Sequence, residues 1–288
     1  MRAQVFVPGH ISCTFRPVMG PDTDRTGSLG IGIRLSLGCR ATVSLRDDDH
    51  INININGEPS DAAVTRYALE SMFPGRGMDV SLDHDLPLEQ GFGSSASGTY
   101  AATLAAAALT DMDSLEAAKA THRAEFKMGG GLGDLLAIYS GYGVPIRTSP
   151  GAPGISGKTE DSGISLNCLS LAVFDQPLKT ESVLKDEGMM KRIMAAGDRA
   201  MEDFSKERSV NNLFKVSNRF SEEIGLESED VSWAIQELKD IGYNAGMCML
   251  GNSIYTDAPP HVLRDAVEEA DVFGAASYDG ILTVIRTE

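Results

Sequence analysis

Residues 87–110 constrain this chain more than any other stretch. Gly91 and Gly93 bracket Phe92, and with no Cβ their backbone can take angles closed to other residues and approach a ligand closely. Ser94 and Ser95 stand where a helix would begin, and serine is a favoured N-cap. The following run of Ala, Thr and Leu to Thr110 is a strong helix former. A glycine loop feeding a helix start presents unpaired N–H groups at the positive end of the helix dipole, which suits an anion, phosphate first among them. No Gly-Lys-Ser/Thr follows, and the dinucleotide pattern G-x-G-x-x-G is missing, so neither common phosphate motif applies. The plain alternative is a Ser/Gly connector before a packing helix.

The 288 residues suffice for two domains with their own cores. A formal net charge of −16 disfavours nucleic acid or an anionic membrane surface as partner, but a nucleotide held by backbone N–H groups and a metal remains open. Cys13, Cys39, Cys168 and Cys248 form no C-x-x-C pair, which fits core thiols in a reducing cytoplasm better than zinc. No basic and apolar leader is read at the N-terminus, and the Ala-rich helix is too weakly apolar to span a bilayer.

Along the chain, a short strand at 4–7 is expected to stop at Pro8-Gly9, followed by a long irregular loop over 9–30. Strands at 32–37 and 40–46 read as a pair around Gly38. Residues 51–57 alternate with period two and end in Asn56-Gly57, a half-buried strand and turn. A helix over 62–73 and a strand over 78–83 lead to the glycine loop. Asp113 and Glu116 resemble a capping box for a helix over 114–128, on which His122 and Glu125 share a face. A second glycine run, Gly129 to Gly133, precedes Asp134 and an apolar turn. A strand follows at 143–147, and residues 148–154 mark the domain boundary. The second half reads as a strand at 166–174 and helices near 183–204, 211–224 and 229–240. A hairpin around Gly251-Asn252, a helix near 260–271 and a last strand at 281–286 complete a ferredoxin-like α+β layer.

Three segments together resemble a known set. Pro8-Gly9-His10-Ile11-Ser12 resembles the first motif of the GHMP kinase superfamily, and Gln90-Gly91-Phe92-Gly93-Ser94-Ser95-Ala96-Ser97 resembles its second, the phosphate loop. Gly246 to Asn252 stands in the place of the third, though it departs from the usual Gly-x-Gly-Gly form. Gly27 to Gly32, His122 to Glu125, Gly131 to Asp134 and Pro150 to Gly154 are most similar to the archaeal pantoate kinases within that superfamily. The resemblance implies an α+β, two-domain fold, with a GHMP N-terminal domain over 1–154, a ferredoxin-like C-terminal domain over 155–288 and ATP in the cleft between them. It implies ATP-dependent phosphorylation of the primary hydroxyl of pantoate to 4-phosphopantoate, on the archaeal route to coenzyme A, in the cytoplasm. A homodimer is an allowed assembly.

What the resemblance implies for residues can be set beside their chemistry. Phosphoryl transfer needs positioning and charge neutralisation more than covalent catalysis. Gly91, Phe92, Gly93, Ser94, Ser95, Ala96 and Ser97 would bind ATP. Ser95 and Glu125 match the family's metal positions and carry hard oxygen donors suited to Mg²⁺. Asp134 matches the position of a catalytic aspartate that takes the hydroxyl proton. His10, Arg25 and Ser28 are the substrate-binding candidates. Arg25, in the expected loop, is favoured over Arg16 and Arg34 to hold the carboxylate. Many relatives carry Lys or Arg where this chain has His10. Taken singly, Asp134 reads equally well as a helix cap, Glu125 as a solvated charge and Met247 to Leu250 as core strand. The rival functions are a GHMP kinase for shikimate, homoserine or mevalonate, and a catalytically silent nucleotide-binding relative.

Overall fold

The computed structural model describes residues 1–175 and 187–287. Two long strands, β1 (Arg2–Val18) and β2 (Gly27–Leu45), pair antiparallel along almost their whole length. The expected break at Pro8-Gly9 and the loop over 9–30 are therefore corrected. Pro8 lacks an N–H, but a register shift between Pro8 and His10 absorbs it and the ladder resumes. Gly38 is no turn. It stands opposite Pro8, where an added Cβ would lie 2.2 Å from the Val7 carbonyl oxygen, so glycine lets the strands stay paired. Residues 19–26 connect the two strands, with a short 3-10 turn at Thr23–Arg25, and Leu35 to Leu37 bulge out of the ladder opposite Gly9.

The larger sheet runs β12-β1-β2-β5-β3-β4, with β3 (Ile51–Ile55), β4 (Glu58–Pro59), β5 (Met78–His84) and β12 (Val284–Thr287). Two further strands, β6 (Pro145–Ser149) and β7 (Lys158–Asp161), extend it from β2. It thus takes strands from both sides of residue 154. Against one face lies α2 (Ser94–Leu109), buried from Ala96 to Ala107. It is apolar all round, as a helix enclosed on every side must be. Its alanines let α1 (Ala63–Met72) and α3 (Ser114–Lys127) approach closely. Thr65–Thr99 at 2.8 Å and Thr103–Thr121 at 2.9 Å satisfy the hydroxyls buried between the helices.

The smaller sheet runs β11-β8-β10-β9, comprising β8 (Leu169–Val173), β9 (Ala245–Met247), β10 (Ser253–Thr256) and β11 (Asp271–Ala275). In chain order this is 4-1-3-2, the ferredoxin-like arrangement. Its fourth strand is β11 rather than the expected 281–286, which turns back as β12 to pair with β1. Helices α6 (Val210–Ile224), α7 (Glu229–Asp240) and α8 (Pro260–Ala266) cover it, while α5 (Glu187–Lys206) lies against α6, β1 and β2. The expected start of α5 at 183 lies outside the described residues.

The long β1–β2 hairpin serves both cores. Val5, Val7, Ala41 and Val43 pack with α2, whereas Ile11, Phe15, Ile31 and Ile33 pack with Phe204, Phe214, Phe220 and the smaller sheet. Among the described residues no helix is long and apolar enough to cross a membrane.

Candidate active site

The glycine loop is pinned from two sides before it reaches α2. The His10 N–H donates to the Phe92 carbonyl at 2.9 Å, tying the loop to β1. Gln90 is buried and bonds toward the smaller sheet. Its Oε1 accepts from the Asn252 N–H at 3.0 Å, its Nε2 donates to the Phe174 carbonyl at 3.3 Å, and its own carbonyl accepts from Ser253 Oγ at 2.7 Å.

The helix cap is Gly93 at φ +60°, not the expected serine, and no side chain caps the end. The first helical bond runs from the Ser97 N–H to the Gly93 carbonyl at 2.9 Å. The N–H groups of Ser94, Ser95 and Ala96 are thus left for a ligand, as the first turn of a helix requires. A side-chain cap would have competed for those donors. Ser97 faces inward, with its hydroxyl on the Ser94 carbonyl at 3.2 Å.

On α3, capped by Asp113 accepting from the Leu115 N–H, both His122 and Glu125 are buried. His122 Nε2 lies 3.0 Å from the Thr23 carbonyl and steadies the turn at 23–25. Glu125 points the other way and accepts from Ser95 Oγ at 2.5 Å and from the Gly131 N–H at 3.1 Å. Burial pushes its carboxyl up to about 7, against the opposing pull of the Ser95 hydrogen bond, and the nearby Asp134 charge adds to the rise. Among the described residues no cation is among the groups that shift it.

The second glycine run wraps both carboxylates. A Cβ on Gly130 would lie 2.5 Å from Glu125 Oε2, and one on Gly131 would lie 2.2 Å from Asp134 Oδ2. Asp134 opens α4 (Asp134–Tyr139), and its Oδ1 lies 2.7 Å from His10 Nδ1. Burial raises the Asp134 carboxyl, but the His10 hydrogen bond and the Arg147 charge outweigh it and hold the group below its ordinary range. Burial lowers His10, more strongly than Asp134 raises it. Asp134 is therefore an anion beside a neutral imidazole.

These groups line one cleft of about 1260 Å³. Gly91, Phe92, Gly93, Ser94, Ser95, Ala96, Glu125 and Asp134 face it, as does Ser28. An apolar end, with Ile55, Val64, Leu82 and Leu88, extends past the helix start. Ala62, Glu89 and Leu250, at φ +38°, +61° and +67°, also line it, so three non-glycine residues hold left-handed backbone around this one cavity. Leu250 belongs to the segment that departs from Gly-x-Gly-Gly, and it takes the left-handed turn without glycine.

Two substrate candidates stand elsewhere than expected. His10 is fully buried behind Asp134 and does not reach the cleft. Arg25 is about half exposed, paired with Asp22 at 2.5 Å and off the cleft, because the expected loop is mostly strand. Arg16 pairs with Asp198, and Arg34 is buried on the carbonyls of Tyr278 and Gly280. The sequence reading passed over Arg147. This β6 residue is fully buried; its two terminal nitrogens bond to His10, Ser12 and Thr14, and its Nε has no hydrogen-bond partner among the described residues. A Cβ on Gly133 would lie 2.2 Å from Ser28 Oγ and 2.8 Å from Arg147 Nε, so the hydroxyl and the buried cation lie together at Gly133, which lines the cleft. A lone arginine closing the apolar run Val144-Pro145-Ile146 was the available signal.

Free helix N–H groups, a hydroxyl–carboxylate pair and an anionic carboxylate at one cleft suit transfer of a phosphoryl group to a hydroxyl. The family described as GHMP kinases N terminal domain matches residues 61–142. The chain is 32% identical to a pantoate kinase of Thermococcus kodakarensis, covering 94% of this chain and 90% of that one. It is 28% identical to a pantoate kinase of Methanospirillum hungatei, covering 88% and 86%. A solved phosphotransferase related to the CoA biosynthesis pathway superposes with TM-score 0.89 at 29% identity, covering 99% of both chains. A homoserine kinase from Cytophaga hutchinsonii, at 15% identity, TM-score 0.69 and coverage of 99% and 97%, shares the fold.

Proposed function

Since the chain belongs to the pantoate kinase family of GHMP kinases, we propose that it transfers the γ-phosphoryl group of ATP to the primary hydroxyl of pantoate, making 4-phosphopantoate for archaeal coenzyme A synthesis. The observation that carries this reading is the convergence of the Ser95–Glu125 pair and Asp134 on the cleft where α2 begins.

In this reading the N–H groups of Ser94, Ser95 and Ala96 hold the β- and γ-phosphates. Ser95 and Glu125 would hold Mg²⁺, which would supply charge neutralisation for the transferring phosphoryl group. The fit rests on Glu125, a buried carboxylate with a hydroxyl beside it and, among the described residues, no cation acting on it. Among the described residues no three His, Cys, Asp or Glu side chains form a metal cage, so Ser95 and Glu125 are the protein donors this reading assigns to the ion. Asp134 accepts the proton of the attacking hydroxyl. Ser28 meets the pantoate carboxylate with the charge of Arg147 behind it, a role that passes from Arg25 to Arg147 because Arg147 lies directly behind Ser28 and Gly133, which line the cleft, whereas Arg25 is off it. The free cysteines fit work in a reducing cytoplasm. A homodimer in solution is to be checked by light scattering.

ADP release with ATP and Mg²⁺ across a panel of acceptors tests the substrate. Pantoate is expected to support turnover, and pantoyl lactone, whose carboxylate is tied up, to be poor. Shikimate, homoserine and mevalonate are expected to give little ADP. If one of those three outruns pantoate, the acceptor is misassigned. ATP binding without release for any acceptor would point to a silent relative.

A further inference from the structure

His10 makes no contact with the cleft, yet it joins three parts of the site described above. Its N–H holds the phosphate loop through Phe92 at 2.9 Å, its Nδ1 meets Asp134 Oδ1 at 2.7 Å, and its Nε2 lies 3.3 Å from Arg147 Nη1. A guanidinium only donates, so Nε2 accepts from Arg147, and the ring proton sits on Nδ1 and is given to Asp134. An imidazolium would set N–H against N–H beside a buried cation, and a lysine or arginine at this position would set two cations together. The ring has been given room for this arrangement, because a Cβ on Gly32 would lie 2.0 Å from Nε2. The register shift in β1 between Pro8 and His10 interrupts the ladder just where the side chain turns toward Asp134.

We propose that His10 is a positioning residue for phosphoryl transfer. Locked in the Nδ1–H form by Arg147, it grips Oδ1 of Asp134 and leaves Oδ2 for the substrate proton. The same residue spaces the phosphate loop from the proton acceptor, because its backbone holds one and its ring the other. The inference rests on the reading of Asp134 as that acceptor.

Two amide replacements separate the ring's two nitrogens. In His10→Asn the amide nitrogen replaces Nδ1–H toward Asp134. In His10→Gln the amide reaches the position of Nε2 toward Arg147 and leaves Asp134 without its donor. Steady-state kinetics on both, with Asp134→Asn as reference and thermal melts for folding, give the test. His10→Gln is expected to lower kcat about 10–100-fold, as loss of an outer partner does, with KM for ATP nearly unchanged. His10→Asn is expected to retain most of the kcat. A merely structural role gives no reason for the shorter amide to outperform the longer. Equal kcat in the two folded variants, or a better kcat for Gln, overturns the inference. Loss of kcat in Asp134→Asn with both His10 variants normal overturns it alone. An unaffected Asp134→Asn overturns the reading of Asp134 and this inference together.

Discussion

The chain has two glycine-rich loops that run into helices, and they do opposite things. The first, at 91–93, leaves its helix start open: Gly93 caps α2 without a side chain, and N–H groups face the cleft. The second, at 129–133, is closed around Glu125 and Asp134, with no room for a Cβ at Gly130 or Gly131. One loop offers donors to a ligand, and the other holds two of the protein's own carboxylates in place. Helix length follows the difference. The 16 residues of α2 give a sustained dipole behind an anion site, whereas the 6 of α4 serve to carry Asp134. Glycine before a helix is therefore a statement about space, and what fills the space decides the chemistry.

The sharpest way to break this contrast is Gly131→Ala. The new methyl drives Asp134 from its place, and a misplacement near 1 Å costs about 100-fold in kcat. ATP affinity, set by the other loop, is expected to hold in a nucleotide titration, and a loss confined to ATP affinity would erase the distinction. Ser95→Ala sits where the loops meet. The helix should survive, since alanine is a good helix former, while the Mg²⁺ requirement rises by at least ~10-fold. A variant that melts readily but turns over normally per folded molecule would make Ser95 structural.

Glu125 sharpens the contrast through pH. Its carboxyl ordinarily titrates at 4.5 and is held near 7 in the folded protein, so the folded state keeps a proton that the unfolded state releases. Metal-free wild type is therefore expected to lose stability as pH rises from about 4.5 to about 7, by up to roughly 3 kcal/mol. Glu125→Gln should flatten that stretch of a melting-temperature profile, and an unchanged slope would return the titration to another group. The smallest effect belongs to Arg25→Ala, outside both loops. Its exposed ion pair with Asp22 is worth about 0–1 kcal/mol, and KM for pantoate should hardly move. A large rise in that KM would bring the turn at 23–25 into the substrate site after all.

Sequence displayed the first loop and α2 because local chemistry determines both: glycine angles, then alanine propensity. It also showed the ferredoxin-like order, since α5 to α7 have clear amphipathic periods between short apolar strands. The β1–β2 hairpin was harder. Pro8-Gly9 and Gly38 are turn signals locally, and only pairing with a distant partner reveals that a bulge and a close approach use the same residues. β11 was not legible as a strand, and the one read at 281–286 was given to the wrong sheet, because both are short and only β-pairing tells which sheet each joins. Arg147 was missed because it meets His10 and Ser12 across more than 130 positions of chain. Motif order supplied Ser95, Glu125 and Asp134 and placed His10 near them, while Arg147, which meets the other side of the His10 ring, comes from a strand with no motif.

The account's central claim is that the site delivers phosphate to the primary hydroxyl of pantoate while Asp134 receives its proton. Phosphorus NMR of a reaction with ATP, Mg²⁺ and pantoate reads this directly. A phosphomonoester split by the two protons of the adjacent CH₂ is the expected signal, and it should fail to accumulate with Asp134→Asn. A monoester split by a single proton, an acyl phosphate, or an unchanged product rate in the Asp134→Asn reaction would contradict it.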